Sequence, residues 1–197
     1  MLTQNTGSFM RSRSALASFL MTVVATAAFA NVASAQSPVI PRPLADVPIK
    51  TAKDPIDLKK YRGKMLVIGL MSTTCAHCAT AMETLRSVQN SLGPKGLQVV
   101  AAVGDPVSQE KINAFAKTAN ANFPVGFLDQ PQFMKLADLK EGQRPFVPVM
   151  LYVDRKGIIR SQVFGDDPYM RADVSSAILK DAGLLLKADQ QAAEKGK

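Results

Sequence analysis

Hydrophobic positions along this chain fall into short blocks whose period changes from block to block. Residues 65–71, Met-Leu-Val-Ile-Gly-Leu-Met, form a nearly continuous apolar run of strand length, the pattern of a strand buried on both faces. Residues 79–92 then carry Ala81, Leu85, Val88 and Leu92 at helical spacing, one stripe of an amphipathic helix. Gly93-Pro94-Lys95-Gly96 stops that helix, and 97–103 is a second buried strand. Ser108 caps a helix that runs to about residue 121, with Glu110 in its first turn and Ile112, Phe115, Ala116 and Ala119 on one face. A short strand over 124–128 and a short helix over 131–139 follow. Residues 149–153 are a strand that turns at Asp154-Arg155-Lys156-Gly157 and returns over 158–164, a hairpin. A last helix spans 168–186, and 187–197 reads as a frayed, flexible polar tail.

Strands that alternate with helices predict an α/β fold with a central, mostly parallel sheet and helices on both faces. The hairpin is expected to add an antiparallel edge. Ahead of the first core strand, 36–55 contains Pro38, Pro41, Pro43, Pro48 and Pro55, an extended lead-in with a short strand near 47–50. The folded domain is therefore expected over 56–186.

The N-terminus belongs outside that domain. Arg11 and Arg13 precede an apolar stretch over 15–30, Ala33-Ser34-Ala35 offers small residues for cleavage, and no acidic residue occurs before Asp46. This pattern predicts a signal peptide over 1–35, cleaved after Ala35, and hence a periplasmic or otherwise exported protein that meets the membrane only transiently. An uncleaved anchor is the alternative, but the stretch is rich in Ala, Ser and Thr and breaks at Asn31. Across the whole chain 24 basic residues exceed 16 acidic ones, and without Arg11 and Arg13 the excess falls from eight to six. Those charges are scattered, with no basic run interleaved with aromatics and no Trp, which argues against nucleic-acid binding.

Chemistry concentrates in the only two cysteines, Cys75-Ala76-His77-Cys78, between the first core strand and the helix that follows it. The loop they close is too short to restrict the unfolded chain, so the pair is no staple. At a helix N-terminus, unpaired backbone N–H groups and the helix dipole favour an anion, here a thiolate on Cys75. A Cys-x-x-Cys so placed is a redox signature. His77 has two readings. As a cation it stabilises the neighbouring thiolate and raises the potential of the pair; otherwise it faces solvent with little effect. Glu83 on the same helix is either a general base or a surface carboxylate, and the strand over 65–71 offers no acid as a buried base for Cys78.

Residues 57–64, the strand after them and Cys75-Ala76-His77-Cys78 resemble the opening of exported thioredoxin-like proteins of the TlpA/ResA type. The run from Val147-Pro148 through the strand to Asp154-Arg155-Lys156-Gly157 is similar to that family's proline–strand–turn segment. The resemblance implies a thioredoxin-like fold and thiol–disulfide exchange outside the cytoplasm, with apocytochromes c or copper-site proteins among the clients. It assigns Cys75 the attacking role, Cys78 the resolving role with which it forms a disulfide, and Pro148 the cis-proline facing them. Thr74, Ala76, Val147 and Pro148 would form the substrate groove, the Val147 backbone pairing with the bound client. Partners would be client protein disulfides or dithiols and an upstream membrane redox protein, with no cofactor. The chain departs from the family at Thr74, where an aromatic usually precedes the first cysteine, at Val149, and at Ala76-His77, which lacks the frequent proline.

Copper binding or delivery is the second reading, because two thiolates and His77 suit a soft ion. His77 is the only histidine, however, so no distant imidazole completes a site and no metal ligand set is assigned. A peroxidase of the same fold would need Pro-x-x-x-Thr-x-x-Cys. Ser72 stands at the Thr position, but Ile68 takes the place of the proline.

Overall fold

The run at 65–71 becomes β2 (Met65–Met71), which is buried at every position and bonded on both edges. It pairs in parallel with β3 (Leu97–Val103), from Met65 opposite Leu97 to Met71 opposite Val103. On its other edge it meets β5 (Val149–Val153) in antiparallel register, with Leu70 opposite Val149. This is a computed structural model of the chain, and it describes residues 39–195. The signal segment, the cleavage position after Ala35 and the first residues of the lead-in lie outside the described residues.

Six strands form one sheet in the order β1-β6-β5-β2-β3-β4, completed by β1 (Arg42–Pro43), β4 (Val125–Phe127) and β6 (Ile158–Val163). The sheet is α/β but mixed: β2-β3-β4 is parallel, whereas β2-β5-β6-β1 is antiparallel. The expected hairpin is therefore not an edge. The proline-rich lead-in supplies β1, which covers β6 through Arg42 opposite Ile159. Proline suits this outermost strand because it has no ladder N–H to lose.

Alternation along β2 divides the core between the two faces. Met65, Val67 and Met71 face α1 (Ala76–Leu92) and α5 (Val174–Lys195), meeting Leu85, Val88, Ala177 and Ile178. Leu66, Ile68 and Leu70 face α3 (Gln130–Ala137), meeting Phe133 and Leu136. The lead-in helps to close this second face, since Val47 and Ile49 are buried in it and Ile49 and Lys50 bridge to Ile56 and Phe127. The domain thus reaches well upstream of the expected start at residue 56. Each such apolar side chain contributes about 1.5–3 kcal/mol on full burial, so the lead-in is structural.

Three other elements differ in detail from expectation. The helix that follows Ser108 is α2 (Gln109–Thr118), shorter than expected, and the Ser108 side chain sits at the N-cap position without making the expected capping hydrogen bond; Asn120 just beyond the helix takes a positive φ. The last helix is two: α4 (Pro168–Ala172) ends at Asp173, whose extended backbone breaks the helix and whose carboxylate accepts the Ser176 N–H to start α5. The expected polar tail is helical through Lys195, because Asp189 reaches Arg155 at 2.8 Å and ties this last part of α5 to the β5–β6 turn. That turn forms as expected, with Asp154 accepting the Gly157 N–H and Gly157 at a positive φ.

Under α5, Tyr152 is buried with no hydrogen-bond partner for its hydroxyl among the described residues. Beside it, the Tyr169 hydroxyl donates to Ala177 O at 3.0 Å and leans on Asp181 at 3.4 Å. Burial raises the Asp181 carboxyl above its ordinary range, while Tyr169 and Lys180 pull it back and Asp167 adds to the rise. A carboxyl whose folded pKa is raised costs stability above that pKa, and the cost fades as pH falls towards the unfolded value of about 3.9. Asp181→Asn is therefore expected to raise the urea midpoint at neutral pH, with the gap from wild type closing as pH falls. Equal midpoints throughout would show that burial does not strain this carboxylate.

Candidate active site

The site forms where β2 ends. Ser72, Thr73 and Thr74 carry hydroxyls that compete for backbone groups, and such residues favour caps and turns over helix interiors. The Ser72 carbonyl accepts the Cys75 N–H at 3.4 Å, and the Ser72 and Thr74 hydroxyls pair at 3.1 Å. Cys75 is the N-cap of α1, with extended backbone, and its Sγ accepts the Cys78 N–H at 3.1 Å. The sulfur thus takes the place that a Ser or Asp oxygen takes in an ordinary cap, at the positive end of a helix of 17 residues.

The two sulfurs, both free thiols, differ sharply in environment. Cys75 is half-buried, whereas Cys78 is 0% exposed and packs into the core cluster with Met71, Ala81 and Met82. Burial holds the Cys78 thiol far above its usual range. A hydrogen bond to Cys75 and the negative charges of Cys75 and Asp105 push the same way, and the Ser72 backbone pulls modestly against them. His77, Ala76 and Thr74 are exposed around the pair. His77 makes no hydrogen bond or ion pair among the described residues.

Facing Cys75 is the segment before β5. The Val147–Pro148 peptide is cis, Pro148 is buried, and the Cys75 thiol donates to the Val147 carbonyl at 3.6 Å. Gly165 holds this segment from behind. Its N–H donates to the Phe146 carbonyl at 2.7 Å, and a Cβ at Gly165 would lie 2.4 Å from the Val147 oxygen. Thus the structure brings together Cys75, Cys78, Val147 and Pro148, with Thr74, Ala76 and His77 at the rim. Glu83 is exposed and lines a separate hollow with Arg86 and Leu179. Ile68, at the proline position of the peroxidase pattern, is a mid-strand residue between Val100 and Leu151.

Asp105 is the site residue that the sequence analysis missed. Its Oδ2 accepts both the Thr73 N–H and the Thr73 hydroxyl, the latter at 2.8 Å, which braces the loop before Cys75. The signal was present: β2 and β3 are parallel and end in register, so the residues just beyond each strand lie side by side. In α/β sheets that carboxyl end is where sites form. Among the described residues, no three His, Cys, Asp or Glu side chains cluster as a metal site. No helix among them is long and apolar enough to cross a membrane.

Several solved structures share this fold at low sequence identity. A thiol:disulfide interchange protein DsbE from Chlorobium tepidum superposes with a TM-score of 0.60 at 21% identity, covering 74% of this chain and 99% of that one. The thioredoxin domain of a thiol-disulfide oxidoreductase from Bacteroides vulgatus gives 0.56 at 15% identity, covering 72% and 96%. A secreted Mycobacterium tuberculosis disulfide oxidoreductase homologous to E. coli DsbE gives 0.52 at 15% identity, covering 68% and 96%. These likenesses show the thioredoxin-like fold. Residues 41–162 match the AhpC/TSA family, a span that covers β1 through most of β6 and includes both cysteines and Pro148. The chain is a thioredoxin-like member of the AhpC/TSA family.

Proposed function

We propose that the chain is an exported thiol–disulfide oxidoreductase that reduces disulfides in client proteins, of the kind found in apocytochromes c or copper-site proteins. The observation that carries this reading is the asymmetry of the pair: a half-buried Cys75 with its Sγ at a helix cap, and the fully buried Cys78 thiol one turn on. Cys75, as thiolate, attacks one sulfur of a client disulfide; an S–S bond forms between protein and client as the client's own S–S bond breaks. Cys78 then attacks the Cys75 sulfur. The Cys75–Cys78 disulfide forms, the mixed disulfide breaks, and the departing client sulfur takes the Cys78 proton. Two electrons pass from the pair to the client, and an upstream membrane redox protein returns them.

The proposed reducing direction is supported by the state of Cys78. A potential rises when the dithiol is stabilised by ionisation, and Cys78, its thiol held protonated by burial, by its bond to Cys75 and by the charges of Cys75 and Asp105, adds none to that of Cys75. That favours a reducing centre. Export is supported by the segment over 1–35 and by the secreted character of the similarly folded Mycobacterium tuberculosis protein.

Insulin reduction and equilibration with glutathione test the activity. Cys75→Ser should abolish both, and Cys78→Ser should accumulate a mixed disulfide from which the client can be identified; stoichiometric copper binding without either turnover would favour metal handling instead. His77→Ala is expected to lower the potential by about 10–20 mV, the scale of one exposed charge near a helix terminus. An unchanged glutathione equilibrium would assign His77 to solvent. In a Cys75→Ala background, Asp105→Asn should let Cys78 ionise at lower pH, read from the ultraviolet absorbance of the thiolate; an unmoved titration would leave Asp105 only its bond to Thr73.

A further inference from the structure

Next to the cysteine pair, on the α3 side of the sheet, a groove of about 430 Å³ runs between the ends of β2, β3 and β4 and the segment before Pro148. Neither cysteine lines it, but two of its lining residues are hydrogen-bonded to Cys75. Val147, whose carbonyl accepts the Cys75 thiol, forms one wall, and Ser72, whose carbonyl accepts the Cys75 N–H, forms the other. Phe127, Phe133 and Met134 give it an apolar lining. Beside it, Phe146 projects from the same segment with 59% of its surface exposed, the most exposed aromatic ring among the large hydrophobic residues.

Charge sets this groove apart from the rest of the molecule. In a chain of formal charge +8, its lining contains two carboxylates, Asp105 and Asp129, and no Lys, Arg or His. Asp129 shares an exposed ion pair with Lys50 at 3.0 Å. Asp105 takes its bonds from Thr73 and has no cationic partner among the described residues. An apolar trough of local negative charge, lined by two residues that are hydrogen-bonded to a reactive cysteine, complements one kind of ligand.

We propose that Phe146 and this groove select an extended client segment in which the reacting cysteine neighbours a large apolar side chain and a Lys or Arg. The apolar side chain would enter between Val147 and Met134, next to the exposed Phe146, and the cation would face Asp105, which has no cationic partner among the described residues. This selectivity rests on the oxidoreductase reading and specifies its substrate class.

The test uses three short peptides, each with one cysteine held in a disulfide with a chromogenic thiol. The first carries Phe and Lys beside the cysteine, the second Ser and Lys, the third Phe and Glu. Hydroxyethyl disulfide is the featureless control. Wild-type protein should release thiol from the first peptide about tenfold faster than from the other two. Phe146→Ala and Met134→Ala should each slow the first peptide by about three- to tenfold and leave hydroxyethyl disulfide unchanged. Gln130→Lys, at the exposed start of α3 on the groove rim, should erase the preference for Lys over Glu, as should salt at about 0.5 M. Equal rates for the three peptides, or a Phe146→Ala protein that handles them as wild type does, would overturn the groove while leaving the oxidoreductase reading intact. If hydroxyethyl disulfide itself is not reduced, the oxidoreductase reading fails and the groove proposal with it.

Discussion

Pairing of β2 with β5 in one particular register underlies every feature of the site. Leu70 stands opposite Val149, so Pro148, one residue earlier, arrives at the end of β2 from which the loop to Cys75 departs. Because side chains alternate along a strand, a slip of one residue would turn the apolar set of β5 towards the wrong layer and carry Val147 away from the sulfur. The slip is blocked by burial on both faces: Leu151 and Val153 fill one layer, Met150 and Tyr152 the other. The parallel partner β3 ends level with β2, which places Asp105 beside Thr73. Three segments distant in sequence therefore meet at one end of the sheet.

From that meeting follows the division of labour between two cysteines only three residues apart. The helix cap exposes Cys75 and directs a backbone N–H onto its sulfur, while one turn of helix carries Cys78 inward among Met71, Ala81 and Met82. The core that stabilises the fold also suppresses ionisation of the second thiol. The packing thus suits the proposed attack by the outer sulfur and resolution by the inner one, and the proposed groove beside them would add a surface against which a client could be aligned.

Most elements were legible in the sequence because their signals are local. The uninterrupted apolar run of β2, the stripe of α1 and the Asp154–Gly157 turn each report on neighbours within a few residues. The misjudged parts depend on distant partners. Nothing near Arg42 and Pro43 announces that they will cover β6, and nothing near Asp189 announces Arg155, whose ion pair accompanies helix where a frayed tail was expected. The break at Asp173 was a local capping signal overridden in the reading by the longer apolar period on either side.

The sequence by itself determined the spacing of Cys75 and Cys78, their place between a buried strand and a helix, and hence redox chemistry in preference to a structural staple. It also carried the resemblance that pointed to Pro148. Only the tertiary structure decided which carboxylate stands near the pair, that Phe146 lies exposed, and that a groove with two carboxylates and no cation in its lining runs past Ser72 and Val147 in a basic chain. The physical reason is that caps and periodicities are fixed within a turn or two of chain. Electrostatic neighbours and grooves are set by sheet register, which joins residues separated by dozens of positions.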